Sequence, residues 1–421
     1  MTDAHASSSK FSPGRILTLN TIAFTVCFAV WLMYGVLIKF LTSEGLYSWS
    51  ASEVGMLIAA PILTGAIMRL PVGLLTDKFG GRPVYLGVLL LSALGSVSVY
   101  FADSFWGFLI CGLAFGLAGA SFAVGIAFTS IWFKKENQGF ALGIFGAGNA
   151  GAALTLMGGP QVLKVLTHGG AQPDGWRLFP LIYSAALLVT AGFFWFLTEN
   201  KLAASGAQKS LSARLAPLRD VQVWRFGFYY VLLFGCFVGL SGWLLKYYVD
   251  VYQVSLQTAG LLAATFSLPS SIVRAGGGWL SDKVGARTVM YWVLSICLFA
   301  SIAISMPLGL VPFTMLIIGL GVAMGIGMAA VYKHIPVYFP KEVGIVGGMV
   351  GVLGGLGGFV SPLVFGYLLT ATTSPQNPTG VWTTAGLFLA IISAVCLAWM
   401  HLAIKRIESA RVPIGVHPQA A

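Results

Sequence analysis

Charged side chains are scarce in this sequence, and acidic ones are scarcer than basic ones. Only 9% of the 421 residues are charged, whereas 57% are hydrophobic, and Lys and Arg outnumber Asp and Glu by 24 to 13. A soluble globular chain carries about 25% charged residues. Because this chain cannot cover a water-facing surface of its size, we expect lipid to face much of it.

Cysteine and histidine are also too few and too scattered to build the usual structural or catalytic centres. The five cysteines lie singly in apolar runs without a CxxC spacing, which argues against a disulfide framework and a zinc site. The five histidines are equally dispersed, so no metal set of a membrane enzyme is indicated. We expect no cofactor and no enzymatic activity. The basic residues do not cluster on a polar domain, so nucleic acid is not an expected partner.

Long apolar runs make up most of the chain instead. A helix needs about 20 mostly apolar residues to cross a bilayer, and lipid leaves the edges of an open sheet without partners. The runs of about this length are twelve in number: 16–41, 52–75, 83–101, 105–131, 139–163, 178–197, 223–248, 257–280, 288–306, 312–334, 343–369 and 380–404. The predicted fold class is therefore an all-α integral membrane protein with twelve transmembrane helices.

One extended polar segment divides these spans into six and six. The predicted organisation is an N-terminal bundle over 1–197, a cytoplasmic linker over 198–222 and a C-terminal bundle over 223–421. Of the 24 basic residues, 17 fall on the side of the membrane that holds both termini and the linker. The positive-inside rule places that side in the cytoplasm.

An internal repeat relates the two bundles and singles out two basic residues. Residues 69–83, RLPVGLLTDKFGGRP, match 274–288, RAGGGWLSDKVGART, with seven identities in fifteen positions. The two halves therefore descend from one six-span unit. The first residue of each segment is an arginine. These two and Lys333 are the basic residues that the assignment to the two sides of the membrane leaves over, and all three lie inside predicted spans, where no carboxylate is central.

Arg69 and Arg274 are the principal candidates for a binding site. Each lies eight residues before the loop aspartate of its repeat, about 12 Å along a helix, and so near the middle of the membrane. An arginine there costs at least ~2.5–3.5 kcal/mol. Without an acid, two such groups facing one cavity repel each other unless an anion lies between them, and the guanidinium fork matches planar oxyanions. The alternatives are snorkelling and hydrogen bonding to backbone carbonyls.

Asn149 is a polar amide inside a glycine-rich run, GFALGIFGAGNAG at 139–151. Glycines in spans let helices approach closely, and packing alone accounts for most of them. An amide at this depth needs a partner. We expect Asn149 either to contact a ligand or gate, or to form a hydrogen bond to another helix.

The loop pattern G-x-L-[ST]-D-K-x-G-x-R, present in both repeats, resembles the signature of the major facilitator superfamily. The resemblance covers essentially the whole chain, and it implies two six-helix bundles, a central cavity and alternating access. It also implies that four loop residues act in gating: Asp77, Asp282, Arg82 and Arg287. The alternative is that the aspartates only fix a tight loop.

Two longer segments resemble a particular branch of that superfamily. GLAGASFAVGIAFTSIWFKKENQGFALGIFGAGNAG (116–151) and GGMVGVLGGLGGFVSP (347–362) are similar to the paired signatures of the nitrate/nitrite porter family. The resemblance implies that nitrate or nitrite is bound by the following residues: Arg69, Arg274, Asn149, Tyr230, Phe234 and Phe122. It also implies a bacterial cytoplasmic (inner) membrane protein, and the fold is expected to work as a monomer.

An anion entering a cell against an inside-negative potential needs a driving force of ~2.3 kcal/mol per charge and 100 mV. Lys333 and His334, at the cytoplasmic end of the tenth span, are titratable and are candidates for proton coupling. Their segment, AAVYKHIPVYFP, resembles the nitrate/proton symport branch. We therefore expect symport with protons; the alternatives are nitrate/nitrite exchange and a transporter of another small anion.

Overall fold

The computed structural model describes residues 11–133, 135–202, 216–339, 343–374 and 381–411. By length and composition, twelve helices in these ranges can cross a membrane, which confirms the predicted fold class. Numbered α1 to α12, these spans are Pro13–Ser43, Ala51–Phe79, Gly81–Phe101, Phe105–Ser130, Phe140–Leu166, Pro173–Leu197, Val221–Tyr252, Leu256–Val284, Ala286–Ile304, Leu310–Ile335, Val346–Thr372 and Thr383–Arg406. Most of the predicted linker, 203–215, lies outside the described residues.

The repeat seen in the sequence is present in the structure of α2 and α8. Ser50 and Ser255 each cap their helix by accepting a hydrogen bond from the backbone N–H three residues later, at 3.3 and 3.2 Å. The helices end at Gly80 and Gly285, whose φ angles of +86° and +87° favour glycine. Because both helices begin and end at equivalent positions, Arg69 and Arg274 lie at the same distance from the ends of their helices.

Three spans change their winding near the centre of the protein. Residues Gly116–Ala120 of α4 and Ala147–Ala150 of α5 form tighter 3₁₀ turns, whereas Val231–Cys236 of α7 forms a wider π-helical turn. Departures of this kind within helices are frequent at functional sites. Each of the three contains or lies close to a predicted site residue.

The two bundles meet along helix pairs that are equivalent under the repeat, with α2 packed against α11 and α5 against α8. Glycine makes the approach possible. A Cβ atom at Gly55 would lie 2.6 Å from the carbonyl oxygen of Pro362, and one at Gly260 would lie 2.2 Å from that of Leu156. These contacts lie in the half of the spans remote from the termini. The bundles are therefore in tight contact at the end opposite the termini.

The predicted end of the seventh span is wrong by several residues. The helix continues through Tyr252, so Asp250, expected outside the span, lies on α7 and is largely buried. Its carboxylate accepts hydrogen bonds from Lys39 of α1 at 2.6 Å and from Lys246 of its own helix. These cations compensate the charge of Asp250, which is why it does not end the span.

Large apolar side chains remain exposed along the outside of the helices. Leu94, Phe196 and Phe299 are examples, with exposed fractions of 68, 75 and 71%. A water-soluble monomer rarely exposes such side chains over contiguous surface. This surface is suited to contact with lipid.

Candidate anion-binding site

Two buried arginines from opposite bundles lie against one aromatic ring. Arg69 of α2 is 4% exposed and Arg274 of α8 is 6% exposed. Their Cζ atoms lie 5.1 and 5.7 Å from the centroid of the Phe122 ring, which comes from α4. The structure therefore brings together at the interface of the bundles the two residues that the repeat relates.

Arg69 is held by backbone carbonyls of both halves. Its Nε donates to the carbonyl oxygen of Gly119 at 3.4 Å, and its Nη1 donates to that of Gly351 in α11. Three aromatic rings lie within cation–π distance of its Cζ atom: Phe122 and Phe234 at 5.1 Å and Trp31 at 5.7 Å. Carbonyl bonding, one of the alternatives, is thus present. Neutral carbonyls and rings leave the positive charge uncompensated.

Arg274 has fewer partners than Arg69. Its Nη2 donates to the hydroxyl oxygen of Tyr230 at 3.1 Å, while its buried Nη1 has no hydrogen-bond partner among the described residues. Because the hydroxyl of Tyr230 accepts from arginine, its own proton is available for donation. The Tyr230 ring stacks on Phe234 at 5.1 Å with an interplanar angle of 5°.

Within the described ranges, no carboxylate forms an ion pair with Arg69 or Arg274. The centre therefore combines two positive charges with an excess of hydrogen-bond donors, in a region that is nearly inaccessible to water. An unpaired charge in such a place is costly. A small anion would supply both the missing charge and the missing acceptors.

Asn149 lies beside this centre and retains unused hydrogen-bonding capacity. Its Nδ2 is 4.0 Å from the sulfur of Met328, a weak acceptor, and its buried Oδ1 has no partner in the described part of the chain. One turn earlier, a Cβ atom at Gly146 would lie 3.0 Å from Nε of Arg274. Asn149 therefore lies one helical turn from a glycine that packs against Arg274.

The family of the chain follows from comparison with known proteins. The sequence profile of the Major Facilitator Superfamily matches residues 19–324 and 254–415. A "Probable nitrate/nitrite antiporter NarK1" of Thermus thermophilus is 44% identical over 417 residues, which cover 93% of this chain and 92% of that protein. The "Nitrite extrusion protein" of Bacillus subtilis is 30% identical over 391 residues, covering 91% and 94%. The chain belongs to the nitrate/nitrite porter family of the major facilitator superfamily.

Membership confirms the predicted family and makes this porter a membrane transporter rather than an enzyme. Solved structures support the fold alone. A bacterial homolog of the human lysosomal transporter Spinster, in an inward-facing and occupied conformation, gives a TM-score of 0.75 at 17% identity and covers 97% of this chain and 100% of its own. The nucleoside transporter NupG gives a TM-score of 0.71 at 14% identity, with coverage of 92% and 99%.

The candidate site includes residues that the sequence did not single out. Tyr332 of α10 packs edge-on against Tyr230 at 5.2 Å and donates to the carbonyl oxygen of Gly347 at 3.0 Å. Trp31 of α1 flanks Arg69 and donates from Nε1 to the carbonyl oxygen of Pro61 at 2.7 Å. The only feature of the sequence that pointed to Tyr332 was its position immediately before Lys333.

The two candidates for proton coupling lie at the end of α10 nearer the termini. Lys333 forms an ion pair with Asp282, and their side chains are 45 and 56% exposed. His334 lies with Nδ1 2.9 Å from the carbonyl oxygen of Ala330 and with its ring 5.6 Å from that of Phe226. Their described contacts do not include either arginine of the site, so coupling through them stays a prediction.

The predicted gating residues, expected in loops, lie instead in the first or last turns of helices at the same end. Arg82 donates from Nε to the carbonyl oxygen of Trp195 at 3.0 Å and lies over its ring, a contact inside the N-terminal bundle. Asp282 pairs inside the C-terminal bundle. Asp77 lies in the last turn of α2, and Arg287 in the first turn of α9. A gating contact between the bundles by these residues stays a prediction.

Proposed function

We propose that this porter carries nitrate and nitrite across the bacterial cytoplasmic membrane by alternating access, holding the anion between Arg69 and Arg274. The supporting observation is the pair itself: two buried guanidinium groups at equivalent positions of the two bundles, without a carboxylate partner in the described chain. The names of both relatives refer to nitrate or nitrite and support the proposed identity of the anion.

The surrounding side chains suit a flat anion. Phe122 and Phe234 lie nearly parallel, at 22°, with their centroids 6.2 Å apart. A planar ion between them needs about 3.5 Å on each side, so a small separation of the rings admits it. The guanidinium groups then meet its edge, while Tyr230 and Asn149 donate hydrogen bonds. Phosphate is tetrahedral, so it fits the slot between these two rings poorly.

Nitrate and nitrite differ by one oxygen atom, and both are planar. The slot distinguishes them only through hydrogen bonds to that atom, each of which contributes about 1.5–3 kcal/mol when a charged group takes part. Two guanidinium groups and two neutral donors serve either anion. We therefore propose that both bind.

We propose proton symport as the driving mode for nitrate import. Lys333, its partner Asp282, and His334 lie at the end of the porter nearer the termini. The segment that contains Lys333 and His334 resembles the symport branch. Exchange of nitrate for nitrite is the second candidate. It is favoured by the name of the Thermus relative, an antiporter, and by the lack of a carboxylate at the arginine pair in the described residues.

The proposed orientation places both termini and the linker in the cytoplasm. It rests on the 17 basic residues that fall on that side. One chain contributes Arg69 from one bundle and Arg274 from the other, so the site is complete in a monomer.

Nitrate uptake into proteoliposomes tests this proposal and separates the two driving modes. The porter is reconstituted with and without an imposed pH gradient, and with and without internal nitrite. Symport predicts uptake that follows the pH gradient and does not need internal nitrite. Acceleration by internal nitrite alone would contradict symport and support exchange. An absence of uptake under both conditions would contradict nitrate transport.

A further inference from the structure

Lys39, Asp250 and Lys246 form a charged cluster where the bundles meet at the end opposite the termini. The ammonium group of Lys39, on α1, lies 2.6 Å from the carboxylate of Asp250 on α7, and Lys246 pairs with the other carboxylate oxygen. The three side chains are only 9, 10 and 17% exposed, in that order. Two cations share one anion, so the cluster carries one net positive charge.

The Lys39–Asp250 ion pair spans a contact that must break when this end of the porter opens. Lys39 belongs to the N-terminal bundle and Asp250 to the C-terminal bundle. One turn before Lys39, a Cβ atom at Gly35 would lie 3.0 Å from Cα of Gly242 in α7, so the two backbones touch. Alternating access requires α1 and α7 to separate here.

When the helices separate, one lysine of the cluster stays with Asp250 and the other does not. Lys246 lies four residues before Asp250 on the same helix, a spacing that lets the pair persist. Lys39 moves away with α1, so its ammonium group is the one left without a counter-ion. Once the mouth opens, the ammonium group of Lys39 faces the surrounding solution without its carboxylate, and an anion from that solution can take the place of the carboxylate.

Taken as a whole, this face offers an anion little attraction. Its carboxylates number five: Glu44, Glu53, Asp103, Asp174 and Asp250. Its basic residues number four: Lys39, Lys164, Arg177 and Lys246. Arg177 is already paired with Asp103 at 2.5 Å. The face therefore has a slight excess of negative charge, and the positive charge is concentrated at the meeting point of α1 and α7.

We propose that Lys39 forms a first binding site for the transported anion at the mouth opposite the termini, released by the breaking of its ion pair with Asp250. The inference rests on the proposed transport of a small monovalent anion. Trp31, which flanks Arg69, lies eight residues earlier on the same α1, about 12 Å along a helix. An anion held by Lys39 would therefore lie about two helical turns from the level of the central arginines.

Two substitutions distinguish this role from that of a simple latch. Lys39→Gln and Asp250→Asn both remove the ion pair, but only the first removes the charge that attracts the anion. The measurement is the KM for nitrate uptake into proteoliposomes with this face outward, at ionic strengths from about 20 to about 300 mM. Lys164→Gln, which removes an exposed charge of the same face from α5 and not from α1 or α7, is the matched control.

The proposal predicts a KM about three- to tenfold higher in Lys39→Gln than in Asp250→Asn, with a weaker dependence on ionic strength in the former. Lys164→Gln should stay within about twofold of wild type. If Lys39→Gln fails to fold, Lys39→Met, which keeps the aliphatic stem, serves the same comparison. Equal KM values in the two variants would reduce the pair to a latch and overturn the proposal. Failure of the wild type to take up nitrate or nitrite would instead contradict the proposed function.

Discussion

Arg69 and Arg274 are placed where a charged side chain is hardest to keep. Their surroundings lower the cost without removing the charge, because carbonyl oxygens accept from Arg69 and the aromatic rings of Phe122 and Phe234 lie beside it. Arg274 retains a buried donor without a partner among the described residues. An anion would compensate the charge and accept from that donor.

Tyr230→Phe tests the neutral donor at this centre. The change removes the hydroxyl that accepts from Arg274 and leaves the ring stacked on Phe234. Because a hydrogen bond to a charged group contributes about 1.5–3 kcal/mol, we expect the KM for nitrate to rise about tenfold or more. Initial rates of uptake over a range of nitrate concentrations provide the measurement.

Tyr229→Phe is the control for that prediction. The hydroxyl of Tyr229 is buried on the same helix and has no hydrogen-bond partner among the described residues. Its loss should leave the KM near that of wild type. Equal KM values for wild type and Tyr230→Phe would remove the tyrosine hydroxyl from the site.

The residues of the site differ in how far the sequence could predict them. The arginine pair was predictable, since a charge inside a span is costly and its repetition is not accidental. Phe122, Phe234 and Tyr230 followed only from the family resemblance, because aromatic residues in a span look alike whether they pack or bind. Tyr332 depends on how closely α10 approaches α11, which a periodic pattern does not determine.

At the scale of helices, glycine decides how closely α2 and α11 approach at the arginine. A Cβ atom at Gly355 would lie 2.8 Å from the Cβ of Ala66 and 3.3 Å from Nη1 of Arg69. The side chain of Arg69 reaches the carbonyl of Gly351 across this same contact. The close approach of the two backbones therefore holds the guanidinium group in place.

Gly355→Ala should disturb this contact and displace Arg69. Overpacking of this kind costs about 1–3 kcal/mol, so we expect nitrate uptake to fall at least tenfold and the melting temperature to decrease. Gly348→Ala, on the same helix with open space around the new methyl group, is the matched control and should resemble wild type. Wild-type uptake by Gly355→Ala would show that this contact does not position the arginine.

Helix boundaries were predicted less well than helix number. The apolar runs indicated twelve spans, and twelve are present, but α7 continues past Asp250. The sequence offered no sign that Lys39, more than 200 residues away, would neutralise this carboxylate. A pairing between distant spans cannot be inferred from local hydropathy.

At the scale of the whole molecule, the proposed proton coupling depends on an ion pair at the end of the porter nearer the termini. The Lys333–Asp282 ion pair lies in the C-terminal bundle and remains accessible to water. A proton-coupled cycle needs a group that changes protonation and a connection from that group to the bundles' contact. This pair, next to Tyr332 of the site, is the proposed candidate.

Lys333→Gln tests that candidate. The change removes the cation of the pair, so we expect uptake driven by a pH gradient to fall several-fold while nitrate binding stays within about twofold of wild type. Lys405→Gln, an exposed lysine at the same end, serves as the control. An unchanged response to pH in Lys333→Gln would remove this residue from coupling.

Nitrate binding by Arg69→Lys and Arg274→Lys, measured by calorimetric titration of the purified proteins, tests the central claim most directly. Lysine keeps the charge but loses the planar fork that meets an oxyanion through two bonds. The account predicts that each variant binds nitrate at least about tenfold more weakly than wild type while melting at a similar temperature. Wild-type affinity in either variant would contradict the paired-arginine site.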